Sequence, residues 1–169
     1  IYVFMPAAMV CGAILCTINA LLITKLKIPA IVATLATTQI YAGALPLVVE
    51  GSIYDLPASF TWLAFEAKIF TIVPLSVLMA LVILAISLYM MKYSWFFKSL
   101  YAIGNNAKGA RLAGINVDRT IILTYAIGGA LLGIAATIIA TAGQRVTTTM
   151  GAGMEMTFIA AVVVGGTSV

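Results

Sequence analysis

Four stretches of this chain carry no charged side chain and are long enough to cross a bilayer: Ile1–Thr24, Ile28–Val49, Ile69–Met91 and Thr120–Gln144. A helix needs about 20 apolar residues to span roughly 30 Å of hydrocarbon. In that solvent every backbone polar group must be satisfied internally, so only helices and closed barrels are open to such runs. The runs lack the two-residue alternation of barrel strands, which leaves helices. A fifth apolar stretch begins at Thr157. Composition agrees: 63% of residues are hydrophobic and 8% charged, against about a quarter charged in soluble domains. The fold expected is all-α, a polytopic transmembrane helical bundle of about four complete spans plus a truncated fifth.

The chain opens at Ile1 rather than Met and stops inside an apolar run. It is therefore expected to be a piece of a longer protein, with residues 1–169 forming one partial transmembrane domain. No small-residue cleavage site follows the first run, so it does not read as a signal peptide.

The charges set the orientation. Lys25 and Lys27 separate the first two spans. Glu50, Asp55 and Glu66 outweigh Lys68 between the second and third. Lys92, Lys98, Lys108, Arg111 and Arg119 outweigh Asp118 between the third and fourth. Arg145 and Glu155 then cancel, and the chain totals +4. Basic connections belong on the cytoplasmic side. This places Lys25, Lys27 and segment 92–119 in the cytoplasm, with 50–68 and 145–156 outside. Ile1 then starts outside, so at least one span is expected before it. The link Lys25–Lys27 is short for two antiparallel spans, and Pro29 suits a first helical turn. One of the two helices is expected to be tilted, broken or partly re-entrant. The outer segment with Pro57, Tyr54, Phe60, Trp62 and Phe65 reads as an interfacial loop with an aromatic belt, or a docking surface for a soluble partner.

Small residues recur at helix-packing intervals: Gly12, Cys16 and Ala20, and the GxxxG pair Gly129 and Gly133. Such spacing lets helix backbones approach in lipid.

The chemistry available is narrow. The chain has no His and only two cysteines, Cys11 and Cys16, at no metal-binding spacing. Neither a catalytic triad nor a His-bearing zinc site is to be expected, and no catalytic residue, metal or nucleic-acid partner is assigned. No GxxxxGK[ST] motif occurs, so no ATP site is expected on this chain. The four spans also lack interior ionisable groups, which disfavours a proton relay within them. Their polar groups are neutral. Asn19 stands late in the first span. Thr34, Thr37, Thr38 and Tyr41 follow i, i+3, i+4, i+7 spacing on one helical face, with Gln39 off it. The stripe fits a translocation path for an uncharged, hydroxyl-rich solute, or interhelical and own-backbone hydrogen bonding.

Segment 92–119 holds too many apolar residues for a solvated loop, and Tyr101, Ile103, Leu112 and Ile115 call for burial. Gly104 and Asn105 mark a boundary. Asn106 is a candidate N-cap for a short helix over 107–113 that Gly114 stops. Such a helix can lie on the membrane or enter a groove of a cytoplasmic partner.

Three runs carry a resemblance. LYAIGNNAKGARLAGINV over 100–117 resembles the cytoplasmic coupling loop of bacterial ABC sugar-importer permeases of the ribose, xylose and autoinducer-2 type, relatives of branched-chain amino acid permeases. NALLITKLKIPAIVATL over 19–35 is similar to that family's run ending in IPPFIATLG, and FIAAVVVGGTS over 158–168 to its AIAAVVIGGTS. The order and spacing match along nearly the whole chain. The resemblance implies a pore-forming subunit in the bacterial cytoplasmic (inner) membrane that pairs with a second permease copy or homologue. An ABC ATPase subunit would bind and hydrolyse the ATP, and a periplasmic or lipid-anchored sugar-binding protein would deliver the solute. Gly104, Asn106, Ala110, Arg111, Gly114 and Ile115 would be the ATPase-coupling positions. Departures from the pattern are Ala36 for Gly, Ala42 for Arg, Gly109 for Ala, and Ala107 and Lys108 where acidic residues are common. The solute is left open among ribose, xylose, galactose-type sugars and the autoinducer-2 furanose. An ion-coupled secondary transporter and a non-transporting membrane scaffold are the alternatives.

Overall fold

A computed structural model describes residues 3–49, 53–55, 68–69, 73–143 and 145–166. Phe60, Trp62 and Phe65 of the expected aromatic belt lie outside them, as do Glu50 and Glu66. The elements in chain order are α1 (Phe4–Leu26), α2 (Ala30–Val48), β1 (Ile53–Asp55), β2 (Lys68–Ile69), β3 (Val73–Pro74), α3 (Leu75–Tyr93), α4 (Trp95–Asn105), α5 (Ala107–Leu112), α6 (Val117–Gly143), β4 (Arg145–Thr147) and α7 (Met154–Val164).

Helices α1, α2, α3 and α6 are each long and apolar enough to cross a membrane. At 1.5 Å per residue they run from about 28 Å to about 40 Å. The third begins six residues later than the hydropathy suggests, because Lys68–Ile69 and Val73–Pro74 first form an antiparallel pair. The short link between α1 and α2 breaks neither helix. Lys27 takes a left-handed conformation (φ 54°, ψ 32°) and ends α1, and extended Pro29 starts α2. Two residues' backbone angles thus reverse the chain. β1 pairs antiparallel with β4, Tyr54 opposite Val146, and ties the segment after α2 to the end of α6. α7 is only 11 residues, about 16 Å, too short to span alone.

The tightest packing joins α1 to α6. Gly12 lies against Gly129, and Gly133 against Ala8, with backbone touching backbone. A Cβ on Gly12 would collide with the Gly129 carbonyl, and one on Gly129 would also stand 2.7 Å from Cys16 Cβ. The two small-residue patterns are therefore the two faces of one interface. In lipid no hydrophobic effect draws helices together, so close approach supplies dispersion contact instead. Ala20, Ile134, Thr137 and Thr141 are buried along these helices. Thr137 and Thr141 donate to the carbonyls of Gly133 and Thr137, at 2.9 and 3.0 Å, satisfying their hydroxyls within α6.

Candidate functional site: a cavity between apolar helices and a capped short helix

α2 stands off from the α1–α6 pair and leaves a cavity of about 840 Å³ between the three helices. Asn19 enters it from α1; Thr34, Thr38 and Tyr41 from α2; Thr124, Tyr125 and the glycine face from α6. Four of the five sequence-selected polar residues thus converge on one space. Thr37 is not in its wall. It is buried at 6% exposure and donates to the carbonyls of Ala33 and Thr34, both at 3.0 Å. The α2 wall is therefore the i, i+4, i+7 subset of the stripe.

The wall's hydroxyls are already engaged as donors. Thr34 donates to the Ala30 carbonyl at 3.0 Å, Thr38 to Thr34 at 2.8 Å and Thr124 to Thr120 at 2.7 Å. The own-backbone bonding expected for these threonines is present, and a threonine so bonded still offers oxygen lone pairs to the cavity. Asn19 Oδ1 is buried with no hydrogen-bond partner among the described residues. A buried acceptor left unpaired costs about 1–3 kcal/mol. Sequence reading missed Tyr125 and Thr124, because the face of α6 that meets α1 follows from the glycine contacts and not from any polar pattern.

Segment 92–119 is built from local signals. α3 ends at Tyr93, Ser94 interrupts, and α4 runs to Asn105. α4 buries Ser99 and exposes Trp95, Lys98 and Tyr101. Asn106 is extended, and its Oδ1 accepts from Gly109 N at 3.0 Å, capping α5. α5 closes with a Schellman arrangement: Gly114 has φ +83°, and Ile115 N donates to the Ala110 carbonyl at 3.0 Å. Positive φ is costly for any residue with a Cβ, which is why glycine ends the helix. Ala110 is buried, Ile115 half-buried, and Gly104 exposed with open space beside its Cα. The observed helix covers 107–112, and Ala113 is its C-cap.

One expectation here is reversed. Tyr101 and Leu112 do not bury; Leu112 is 91% exposed at the tip of α5. A six-residue helix has one inner face, and Ala110 takes it. Arg111 is exposed but paired. Its Nη2 donates to Asp118 Oδ1 at 2.8 Å across the turn into α6. Asn116 caps α6, its Oδ1 accepting from Arg119 N at 3.2 Å. Neither Asp118 nor Asn116 was singled out in the sequence, though an acid and an Asn at a helix start are recognisable signals.

α7 brings a carboxylate to the same region. A second cavity, about 380 Å³, lies between α2, α6 and α7 and shares Thr34, Thr38 and Tyr125 with the first; Glu155 lines it. The segment 145–156 was expected wholly outside. β4 does pair with β1 beyond the ends of α2 and α6, but successive turns over 147–154 carry Glu155 back beside the first half of α2.

The comparisons agree with this architecture. The chain is 38% identical over 151 residues to the autoinducer 2 import system permease protein LsrC of Yersinia enterocolitica, covering 89% of this chain and 41% of that protein. It is 36% identical over 162 residues to the proteins of the same name in Yersinia pestis and Yersinia pseudotuberculosis, covering 95% of this chain and 46% of each. The chain thus spans less than half the length of these relatives. No solved structure matches. The family described as branched-chain amino acid transport system / permease component matches residues 1–169. With four helices long and apolar enough to cross a membrane and relatives that are permeases rather than enzymes, this chain belongs to that permease family.

Proposed function

We propose that this chain is part of the permease subunit of an ATP-binding cassette importer that moves a sugar or sugar-like solute across the bacterial cytoplasmic membrane. The observation that carries the reading is the convergence of Asn19, Thr34, Thr38 and Tyr41 on one cavity between three membrane-crossing helices. Neutral hydroxyl and amide groups replace a polyol's hydration shell without the cost of burying charge. Relatives named for autoinducer 2 import favour a small hydroxyl-rich solute, with that furanose beside ribose, xylose and galactose-type sugars as candidates.

Segment 92–119 is proposed as the coupling element. α5 is rigid for its length because both ends are closed, and it presents Leu112 outward. An ABC ATPase subunit seated on it would pass its own closure to α6 as a rigid-body push through the Arg111–Asp118 contact. A second permease copy or homologue would complete the pore. A periplasmic or lipid-anchored binding protein would present the solute from outside.

The test is co-purification of the full-length protein with the ATPase from its own host, comparing wild type with Arg111→Glu and with a replaced 104–114 loop. ATPase retained by wild type and lost from the variants supports the reading. ATPase absent from folded wild type overturns it. One observation favours the ion-coupled alternative: Glu155 is an ionisable group beside the cavity. Import that needs a proton gradient and no ATPase would establish that alternative.

A further inference from the structure

Glu155 is the acid that the four spans themselves lack. It sits in the first turn of α7, half-buried, in a space otherwise walled by Ala30, Ile31, Phe158 and similar groups. No lysine or arginine side chain among the described residues lies within ion-pair distance of it, the one such pair being Arg111–Asp118. A carboxylate at membrane depth is costly, and it persists where it meets a water-filled path, a ligand or a partner. Its space opens on Thr34, Thr38 and Tyr125, three residues that also line the larger cavity.

The combined wall is rich in acceptors, beside the Tyr41 and Tyr125 phenols and the Asn19 amide N–H groups, which can donate. Thr34 and Thr38 have given their protons to their own helix and offer lone pairs only. Asn19 Oδ1 is an acceptor without a donor. A carboxylate is acceptor-only when ionised. A hydroxyl-bearing solute seated here meets Thr34, Thr38, Asn19 Oδ1 and Glu155 as acceptors for the protons it donates.

We infer that Glu155 contacts the cargo and, with Asn19 Oδ1 and the Thr34 and Thr38 hydroxyls, forms a cluster of acceptors that selects solutes by the hydroxyl protons they donate. The inference rests on the permease reading and deepens it. A hydroxyl donating to a carboxylate makes a charge-assisted bond, roughly twice as strong as a neutral one. Removing the hydroxyl from the solute leaves the carboxylate unpaired, so discrimination against deoxy analogues follows from the wall itself.

The experiment uses the full-length permease assembled with its ATPase and binding protein in proteoliposomes. The probes are radiolabelled D-ribose, D-xylose and D-galactose with their single-deoxy derivatives. For the sugar that wild type imports, Glu155→Gln is expected to lower kcat/KM by about tenfold or more. It should also bring the preference for that sugar over one deoxy derivative close to unity. Equal loss for the sugar and every deoxy derivative, or no loss, overturns the inference. An unfolded variant is recognised by size-exclusion profile. A second variant, Glu155→Cys in a background free of reactive cysteines, is then treated with a water-soluble methanethiosulfonate reagent. Labelling that the imported sugar slows supports the placement, and an unreactive thiol overturns it. If wild type imports none of the three sugars, the autoinducer-2 furanose is tested in the same way; import of none of the four ends the sugar reading, and labelling from water alone then decides whether Glu155 lines a path.

Discussion

Gly12 and Gly129 meet backbone to backbone where α1 crosses α6, so that a Cβ on either would occupy the other's carbonyl. Gly133 repeats the contact one turn along, against Ala8 and with Met9 Cα 2.7 Å from where its Cβ would stand. This crossing sets the distance between the helices and hence the width of the cavity that α2 closes.

Replacing Gly129 by Ala is therefore expected to destabilise the protein by about 1–3 kcal/mol through forced helix separation. Gly128→Ala is its control: that position has open space around a Cβ, and alanine there should be neutral or slightly stabilising. Thermal unfolding in detergent, followed by size-exclusion recovery, separates the two. Equal melting temperatures would overturn the packing account.

The caps of α5 make a second pair. Asn106→Ala removes the side chain that accepts from Gly109 N and should cost about 1 kcal/mol. Gly114→Ala places a Cβ at φ +83° and should cost about 1–2 kcal/mol. Both losses are local, so faster amide exchange confined to residues near 104–116 is the expected readout. Protection unchanged there would show that the caps contribute nothing.

Arg111 and Asp118 are 62% and 55% exposed. An ion pair so wet contributes about 0–1 kcal/mol. Arg111→Ala should leave the melting temperature nearly unchanged while weakening ATPase co-purification. Leu112→Asp should do the same more completely, because its side chain touches almost nothing in this chain. A large fall in melting temperature with the ATPase still bound would reverse the assignment.

Asn19 supplies the sharpest contrast between folding and transport. Its Oδ1 has no partner among the described residues, so Asn19→Leu relieves an unpaired buried acceptor. The melting temperature should hold or rise while import falls. A marked loss of stability would instead mean that Asn19 bonds to a part of the longer protein.

Much of this was legible residue by residue. The cap at Asn106, the stop at Gly114 and the spans themselves depend on neighbours within a turn, and local rules read them to within a few residues. The α2 stripe was legible as a face, since helical periodicity alone puts Thr34, Thr38 and Tyr41 together. That Thr37 faces away from the cavity was not, because a face has breadth and only the neighbouring helix decides where the cavity begins. The partner of Arg111 was within reach of sequence, seven residues on. Its geometry needed the turn through Gly114.

What the sequence determined by itself was the solvent and the local backbone: apolar runs that must be helices in lipid, basic connections, and glycine or asparagine where the chain turns. Those are properties of single segments, governed by transfer free energy and backbone sterics. What only the tertiary structure decided was which faces meet. The small-residue patterns of α1 and α6 could each have packed elsewhere, and Glu155 reads in sequence as an outer-loop acid. Long-range packing set Gly12 on Gly129 and returned Glu155 to the side of α2, because burial and close contact are relations between segments that no single segment encodes.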